Sequence, residues 1–411
     1  MIIKEYDVIV IGGGPAGGQS ARELSAKGYK VLLTERHKSF KENNFSSAGM
    51  TLDPLTEFDI PESVVGAYWK NLEVQCSKNL YSWKGNKSKG VVLDFGRLRQ
   101  FLADETIKYG GDVLMGHTYL KKELISDGVI ASFKNAVSNE VVQYKAKLLV
   151  DATGPGRRVM YNSLEDQPKL ICGGGVEYLI EVEQKIYDKY KDSLFFFLGD
   201  EWAYKGYSWI FPMENRILKV GAGKIYIQVD KEDEFKGSVK KMTEKVIKDY
   251  LKADEYNLID IHGGTLKYSP SIKDTFYKDK VVAVGDAVST VNPLGGEGIR
   301  YAMQNARLAS NYIDHYLKSG RESFSTYRKK WRNKHLLKWQ LSEASCRRMY
   351  AKYTDDKIER RIGYIHKTTN IDSIIEMLFN FKFNKMITRV FEVYKLKLIY
   401  KFNKNPKVKF R

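Results

Sequence analysis

The stretch Asp7-Val8-Ile9-Val10-Ile11-Gly12-Gly13-Gly14-Pro15-Ala16-Gly17 limits what this chain can fold into more than any other, because an apolar run passes straight into a glycine-rich turn. A helix pattern follows through Ala21, Leu24 and Ser25 to Gly28. Strand, glycine turn and helix in that order read as the start of a βαβ unit that holds a dinucleotide. Gly12, Gly14 and Gly17 fit G-x-G-x-x-G, with Pro15 and Ala16 opening the helix. The first glycine permits the tight turn, the second lets backbone approach a pyrophosphate, and the third lets helix and strand pack closely. Phosphate then sits on the helix N-terminus, where unpaired N–H groups favour anions. Tyr29 to Thr34 reads as a second strand, and Glu35 ends it where an acid accepts from ribose hydroxyls.

A chain of 411 residues buries a full core and forms two or three domains. Its 27 Tyr and 19 Phe suit a ligand with much apolar surface, although core packing uses the same side chains. Cys76, Cys172 and Cys346 are isolated, which argues against a disulfide framework or a metal site and fits a reducing cytoplasm. The first apolar run belongs to the nucleotide fold rather than to a signal peptide. No apolar run reaches the length of about 18 residues that a transmembrane helix needs. The net charge of +18 is uneven: residues 321–411 hold 24 Lys/Arg against 8 Asp/Glu. The body is near neutral and the C-terminal part is basic.

After Glu35 a polar loop runs from Arg36 to Gly49, and its Ser46-Ser47-Ala48-Gly49 segment is small enough to lie against a flat ring. An ordinary surface loop has the same composition. Gly90 to Asp94 reads as a strand, and a helix from about Arg97 to Tyr109 stops at Gly110-Gly111. Val141 to Val150 runs into Asp151-Ala152-Thr153-Gly154, a second strand-to-glycine junction. Alternation then puts Tyr207, Trp209 and Phe211 on one strand face before Pro212, and Gly221-Ala222-Gly223 follows. That face forms an apolar substrate wall or packs on a helix; pattern does not separate the two. Gly221 and Gly223 mark a close approach of backbone or ligand. A helix is expected over Ser238 to Lys252. Finally Val281 to Gly285 leads to Asp286, and Asn292-Pro293-Leu294-Gly295-Gly296-Glu297-Gly298-Ile299 enters another helix.

These motifs, in this order, resemble FAD-dependent oxidoreductases of the p-hydroxybenzoate hydroxylase fold class. Within that class, Tyr207-x-Trp209-x-Phe211-Pro212 followed after eight residues by Gly221-x-Gly223 resembles the signature of the geranylgeranyl reductase family. The likeness covers about residues 5 to 340; the basic C-terminal part matches only in being helical. It implies an α/β fold: a discontinuous FAD-binding Rossmann-like domain (1–60, 91–160, 270–320), an inserted antiparallel-sheet substrate domain (61–90, 161–269) and a helical C-terminal region (321–411). It also implies that Gly12, Gly14, Pro15, Ala16, Gly17, Glu35 and Arg36 hold the FAD pyrophosphate and adenosine. Ser46, Ser47, Gly49, Asp151, Gly154, Asp286, Gly295, Gly298 and Ile299 complete the cofactor site, and Tyr207, Trp209, Phe211, Pro212, Gly221 and Gly223 the substrate site. No metal is implied.

Two residues depart from the pattern. Ser46 stands where archaeal members have a cysteine, so a cysteine-dependent step does not carry over. Phe95 stands where the family has an FAD-contacting arginine; Arg99, one turn on and leaning toward the N-terminus, is the substitute, with Arg97 behind it. Tyr204 also replaces a proline before the motif tyrosine.

The expected activity is reduction of isolated C=C bonds in a polyprenyl lipid, with hydride from reduced flavin and a proton whose donor the sequence does not name. Tyr207 and His117 are candidates, but nothing pairs His117 with a partner, which favours a surface or core histidine. Alternatives are a flavin monooxygenase or halogenase of the same fold, and a membrane-associated lipid-binding electron-transfer flavoprotein. The electron donor, whether NAD(P)H, ferredoxin or deazaflavin, is left open. Residues 382–411 interleave 10 Lys/Arg with apolar side chains, which suits peripheral docking on an anionic membrane rather than nucleic-acid binding.

Overall fold

The computed structural model describes residues 3–42, 44–226, 238–253 and 255–381. The expected amphipathic tail, 382–411, lies outside them.

Lys4–Ile11 is the inner strand of an eight-stranded sheet, and Val8, Ile9 and Val10 are fully buried. Such continuous apolar strands arise when parallel strands are covered on both faces. Lys4–Ile11 pairs in parallel with Val31–Thr34 on one side and Val141–Asp151 on the other; Val281–Ala283 and Asp112–Leu114 extend the parallel set. All three strand-to-glycine junctions of the sequence therefore end at one edge, the place where open α/β sheets bind ligands. A hairpin, His117–Ile125 with Gly128–Asn135, adds antiparallel strands beside Val141–Asp151.

The second sheet has seven strands, in the order 257–268, 171–181, 217–226, 206–212, 193–197, 71–75, 80–83. Only the contact between Ser193–Phe197 and Asn71–Gln75 is parallel. A three-stranded sheet, with Gly90–Leu93 between Gly49–Thr51 and Val65–Trp69, bridges the two large ones. The helix expected from Arg97 begins at Phe95, because the Asp94 side chain accepts from Arg97 N and caps it. The one expected over Ser238 to Lys252 is α-helical only over Val239–Lys245 and widens to a π-turn over Val246–Leu251.

Four helices, Ile299–Ser319, Phe324–Ala351, Asp355–Thr368 and Ile371–Leu378, complete the expected α/β architecture. The last two bury Ile358, Ile362, Ile371, Ile374 and Ile375 against the seven-stranded sheet. Their polar rims hold them there: Glu359 accepts from Asn79 and Tyr81, and Trp83 donates to Thr369. Among the described residues no helix is long and apolar enough to cross a membrane.

Candidate active site

The glycines of the first turn divide into two kinds by what a Cβ would meet. At Gly12, with φ +109°, it would lie 2.4 Å from Ala152 O, and at Gly17 1.8 Å from Gly12 O, so the fold itself demands glycine there. At Gly14 nothing lies within 4 Å, and φ is an ordinary −75°. No protein atom requires glycine at that point; the open space beside it does, once a pyrophosphate fills it. Pro15 opens the helix and Ala16 packs within 2.6 Å of where a Gly285 side chain would begin. The Gly285-Asp286 turn is thereby pressed against the nucleotide helix.

A second helix N-terminus faces the same crevice. Gly298 caps Ile299–Ser319, and a Cβ there would meet only Val291 at 3.7 Å and Asp286 Oδ2 at 3.9 Å. This helix lies beside the nucleotide helix, joined by Arg307 Nε to Glu23 Oε1 at 2.7 Å. Two positive dipole ends and two open glycines thus converge on one slot. Glu35 is buried at its adenosine end, accepting from Gly13 N at 2.8 Å and His37 N at 3.0 Å. A carboxylate has acceptor capacity beyond two bonds, so ribose hydroxyls still find a partner. These residues fit FAD.

From the Gly295–Ile299 end a cavity of about 280 Å³ runs between the sheets and the C-terminal helices. Ser46, Ser47, Ala48 and Gly49 line it beside the crevice, and Tyr207, Phe211 and Phe196 form its floor. Its far walls are Trp83, Ile362, Ile365, Ile374 and Met377. Lys219, 4% exposed, anchors the Ser46 loop by donating to Ser46 O at 2.8 Å and Leu93 O at 3.1 Å. Burial holds its amine below the ordinary lysine range, against the pull of Glu177 and Asp94.

Other expected site residues have different employment. Asp151 is fully buried and accepts four bonds, from Thr153 N and Oγ1 and from Val159 N and Met160 N. It braces the turn through Gly154 and does not face a cofactor. Arg36 is exposed and bonds His37; Arg97 pairs with Glu214 on the surface. Arg99 is buried over the rings of Phe40 and Phe95, its Nη2 donating to Phe40 O and Glu42 O. Its buried Nε has no partner among the described residues. His117 bonds Met115 O in the nucleotide sheet and does not line the cavity, which removes it as proton donor.

Trp209 is the main correction to the expected substrate wall. It shares a strand face with Tyr207 and Phe211, but its indole turns onto Gly221, where a Cβ would lie 2.3 Å from the ring. Gly221 makes room for this tryptophan rather than for a ligand, and Gly223, where a Cβ would lie 3.5 Å from the indole, sits in ordinary contact beside it. Pro212 ends the strand and does not line the cavity either. Trp209 Nε1 donates to Glu177 Oε2 at 2.8 Å, and Glu177 Oε1 meets His262 Nε2 at 3.2 Å; His262 Nδ1 meets Asp260 at 3.0 Å. No spacing in the sequence marks Glu177, Lys219 or His262, which lie on three neighbouring strands.

Burial alone would lower the His262 pKa, but hydrogen bonding and attraction from Glu177, then from Asp260, carry it above the ordinary histidine value. A raised folded pKa stabilises fully below the unfolded value and is lost as pH rises through the folded one. His262→Gln should therefore cost on the order of 3 kcal/mol near pH 6. The deficit in Tm against wild type should shrink as pH is raised from there through the folded pKa and wild-type His262 deprotonates. A deficit that stays constant over that range in thermal melts would show that the charge contributes nothing.

Comparison with known proteins bears on the family and the cofactor. A family model for FAD dependent oxidoreductases matches residues 7–161, and one for the geranylgeranyl reductase catalytic domain matches residues 175–266. A digeranylgeranylglycerophospholipid reductase of Haloferax volcanii is 30% identical over 330 residues, 76% of each chain. One of Methanocaldococcus jannaschii is 27% identical, over 86% of this chain and 89% of its own. A geranylgeranyl bacteriochlorophyll reductase-like structure from Thermoplasma acidophilum superposes with a TM-score of 0.80 at 21% identity, covering 94% of this chain and all of that one. A flavin-dependent brominase shares the fold at a TM-score of 0.69 and 17% identity. With FAD as its cofactor, the chain is an oxidoreductase that belongs to the geranylgeranyl reductase family.

Proposed function

We propose that this enzyme reduces C=C bonds in the geranylgeranyl chains of a membrane lipid, and that the apolar cavity opening on the Gly295–Ile299 turn takes the prenyl chain. That cavity carries the reading. Each chain carbon moved from water into such a site gains about 0.8 kcal/mol, so recognition grows with length and needs few polar contacts. FAD, bound and reduced, would supply a hydride equivalent to one alkene carbon. An isolated alkene develops no oxyanion to stabilise, so the protein works by positioning and by excluding water. Phe196, Tyr207 and Phe211 hold the chain in place beside the turn, and the C-terminal isoleucines close the cavity behind it.

Tyr207 supplies the proton to the other carbon. Its hydroxyl lies at the cavity, donating to Gly295 O at 2.9 Å, and burial keeps the phenol protonated well above its ordinary range. Such a positioned acid contributes about 10²–10⁴ in rate. The test is anaerobic incubation of dithionite-reduced protein with a geranylgeranyl lipid, followed by mass analysis. Products should gain two hydrogens per bond, and Tyr207→Phe should form them at least about 100-fold more slowly with FAD still bound. Turnover that needs oxygen and an aromatic substrate would overturn the assignment. The electron donor is an external reductant, and the basic residues 382–411 bring the enzyme to anionic lipid, which vesicle flotation with and without them checks.

A further inference from the structure

The turn from Asn292 to Gly298 is held from outside by a helix face that no motif marks. Along Phe324–Ala351, Trp339, Ser342 and Tyr350 fall on one side. Trp339 Nε1 donates to Ser289 O at 3.1 Å. Ser342 Oγ donates to Asn292 Oδ1 and accepts from Leu294 N at 3.0 Å. Tyr350 Oη donates to Leu294 O at 3.0 Å, next to the Gly295 carbonyl that Tyr207 engages; the two tyrosine rings stack with centroids 6.2 Å apart.

Leu294 C=O and Gly295 N–H belong to one peptide group. A hydrogen bond to the carbonyl draws density from the nitrogen and strengthens the N–H as a donor. That N–H makes no hydrogen bond among the described residues, and Gly295 lines the cavity. We propose that Tyr350, with Ser342, is a positioning residue that aims and polarises the Gly295 peptide toward the flavin, so that the C-terminal helix tunes the cofactor's electron affinity. The inference rests on the placement of the flavin ring against this turn. Donors of this kind stabilise reduced, anionic flavin more than oxidised flavin.

Tyr350→Phe keeps the stacked ring and removes only the hydroxyl. Dye-coupled equilibration of the holoenzyme should show reduced FAD bound about three- to tenfold more weakly than in wild type, with oxidised FAD unchanged. Tenfold corresponds to a midpoint potential about 30 mV lower for a two-electron couple. Ser342→Ala should shift the potential in the same direction, and decides the matter if Tyr350→Phe does not fold. Equal weakening of both redox states, or an unmoved potential, would overturn the proposal and leave Tyr350 a packing residue. Gly298→Val separates the two levels. If it abolishes FAD binding while both helix variants leave the potential unmoved, the turn carries the flavin and only the tuning is wrong. If it leaves binding and potential intact, the placement of the flavin fails and takes the tuning with it.

Discussion

Gly14→Val should give a folded, colourless protein. Nothing lies within 4 Å of a side chain built at Gly14, and its backbone is one that valine adopts readily, so the apo fold should melt within a degree or two of wild type. The added methyls would stand where the pyrophosphate must approach backbone N–H groups, and FAD affinity should fall at least about 100-fold, near 2.8 kcal/mol. Gly17→Val is the contrasting variant. Its Cβ would start 1.8 Å from a backbone oxygen, which no rotamer relieves, so helix and strand must separate and the protein should lose stability rather than cofactor alone. Flavin absorbance on purification and thermal melts of both variants check the pair. A yellow Gly14→Val protein, or one as unstable as Gly17→Val, would show that this glycine serves the fold and not the ligand.

The contrast also shows what a sequence pattern conveys. Both glycines belong to the same fingerprint, and the spacing that located the crevice does not tell packing from ligand approach. The nucleotide half was legible because its signals are local: an apolar strand, a glycine turn, an acid at the end of the next strand. Glu35 and Asp286 needed only to follow the ends of parallel strands, and Gly298 to open the helix after the second of them, to face one crevice. The substrate half depends on neighbours far apart in the chain. Trp209, Gly221, Glu177 and His262 come together across adjacent strands of the second sheet, so the motif looked like a wall while its tryptophan is spent on Gly221 and Glu177. Asp151 ended a strand as a cofactor acid would, yet the turn after it folds back and consumes both oxygens. The C-terminal helices were hidden by their charge. Ile358, Ile362 and Ile365 follow helical spacing, as do Ile371, Ile374 and Leu378, but a net basic region drew attention to a surface instead of to the apolar stripe beneath it.

That stripe sets how much chain the cavity takes, and Ile362→Trp should show it. Ile362 lines the cavity at the end away from Gly295, on a helix whose polar rim is already held by Asn79 and Tyr81. An indole there occupies space otherwise open to the substrate, so the helix need not move and FAD should stay bound. It would exclude about three or four chain carbons, each worth about 0.8 kcal/mol, for a loss near 2.8 kcal/mol. At 1.36 kcal/mol per factor of ten, kcat/KM for a geranylgeranyl lipid should fall about 100-fold. A substrate shorter by one or two isoprene units, which does not reach Trp83 and Ile362, should keep its rate within about threefold. Ile362→Ala should do the reverse, deepening the cavity and favouring longer chains. Mass analysis of products from a series of prenyl lengths, with flavin content measured alongside, reads the outcome directly. Equal losses at every length would mean that the chain does not lie along this helix, and that the isoleucines pack a core the substrate never enters.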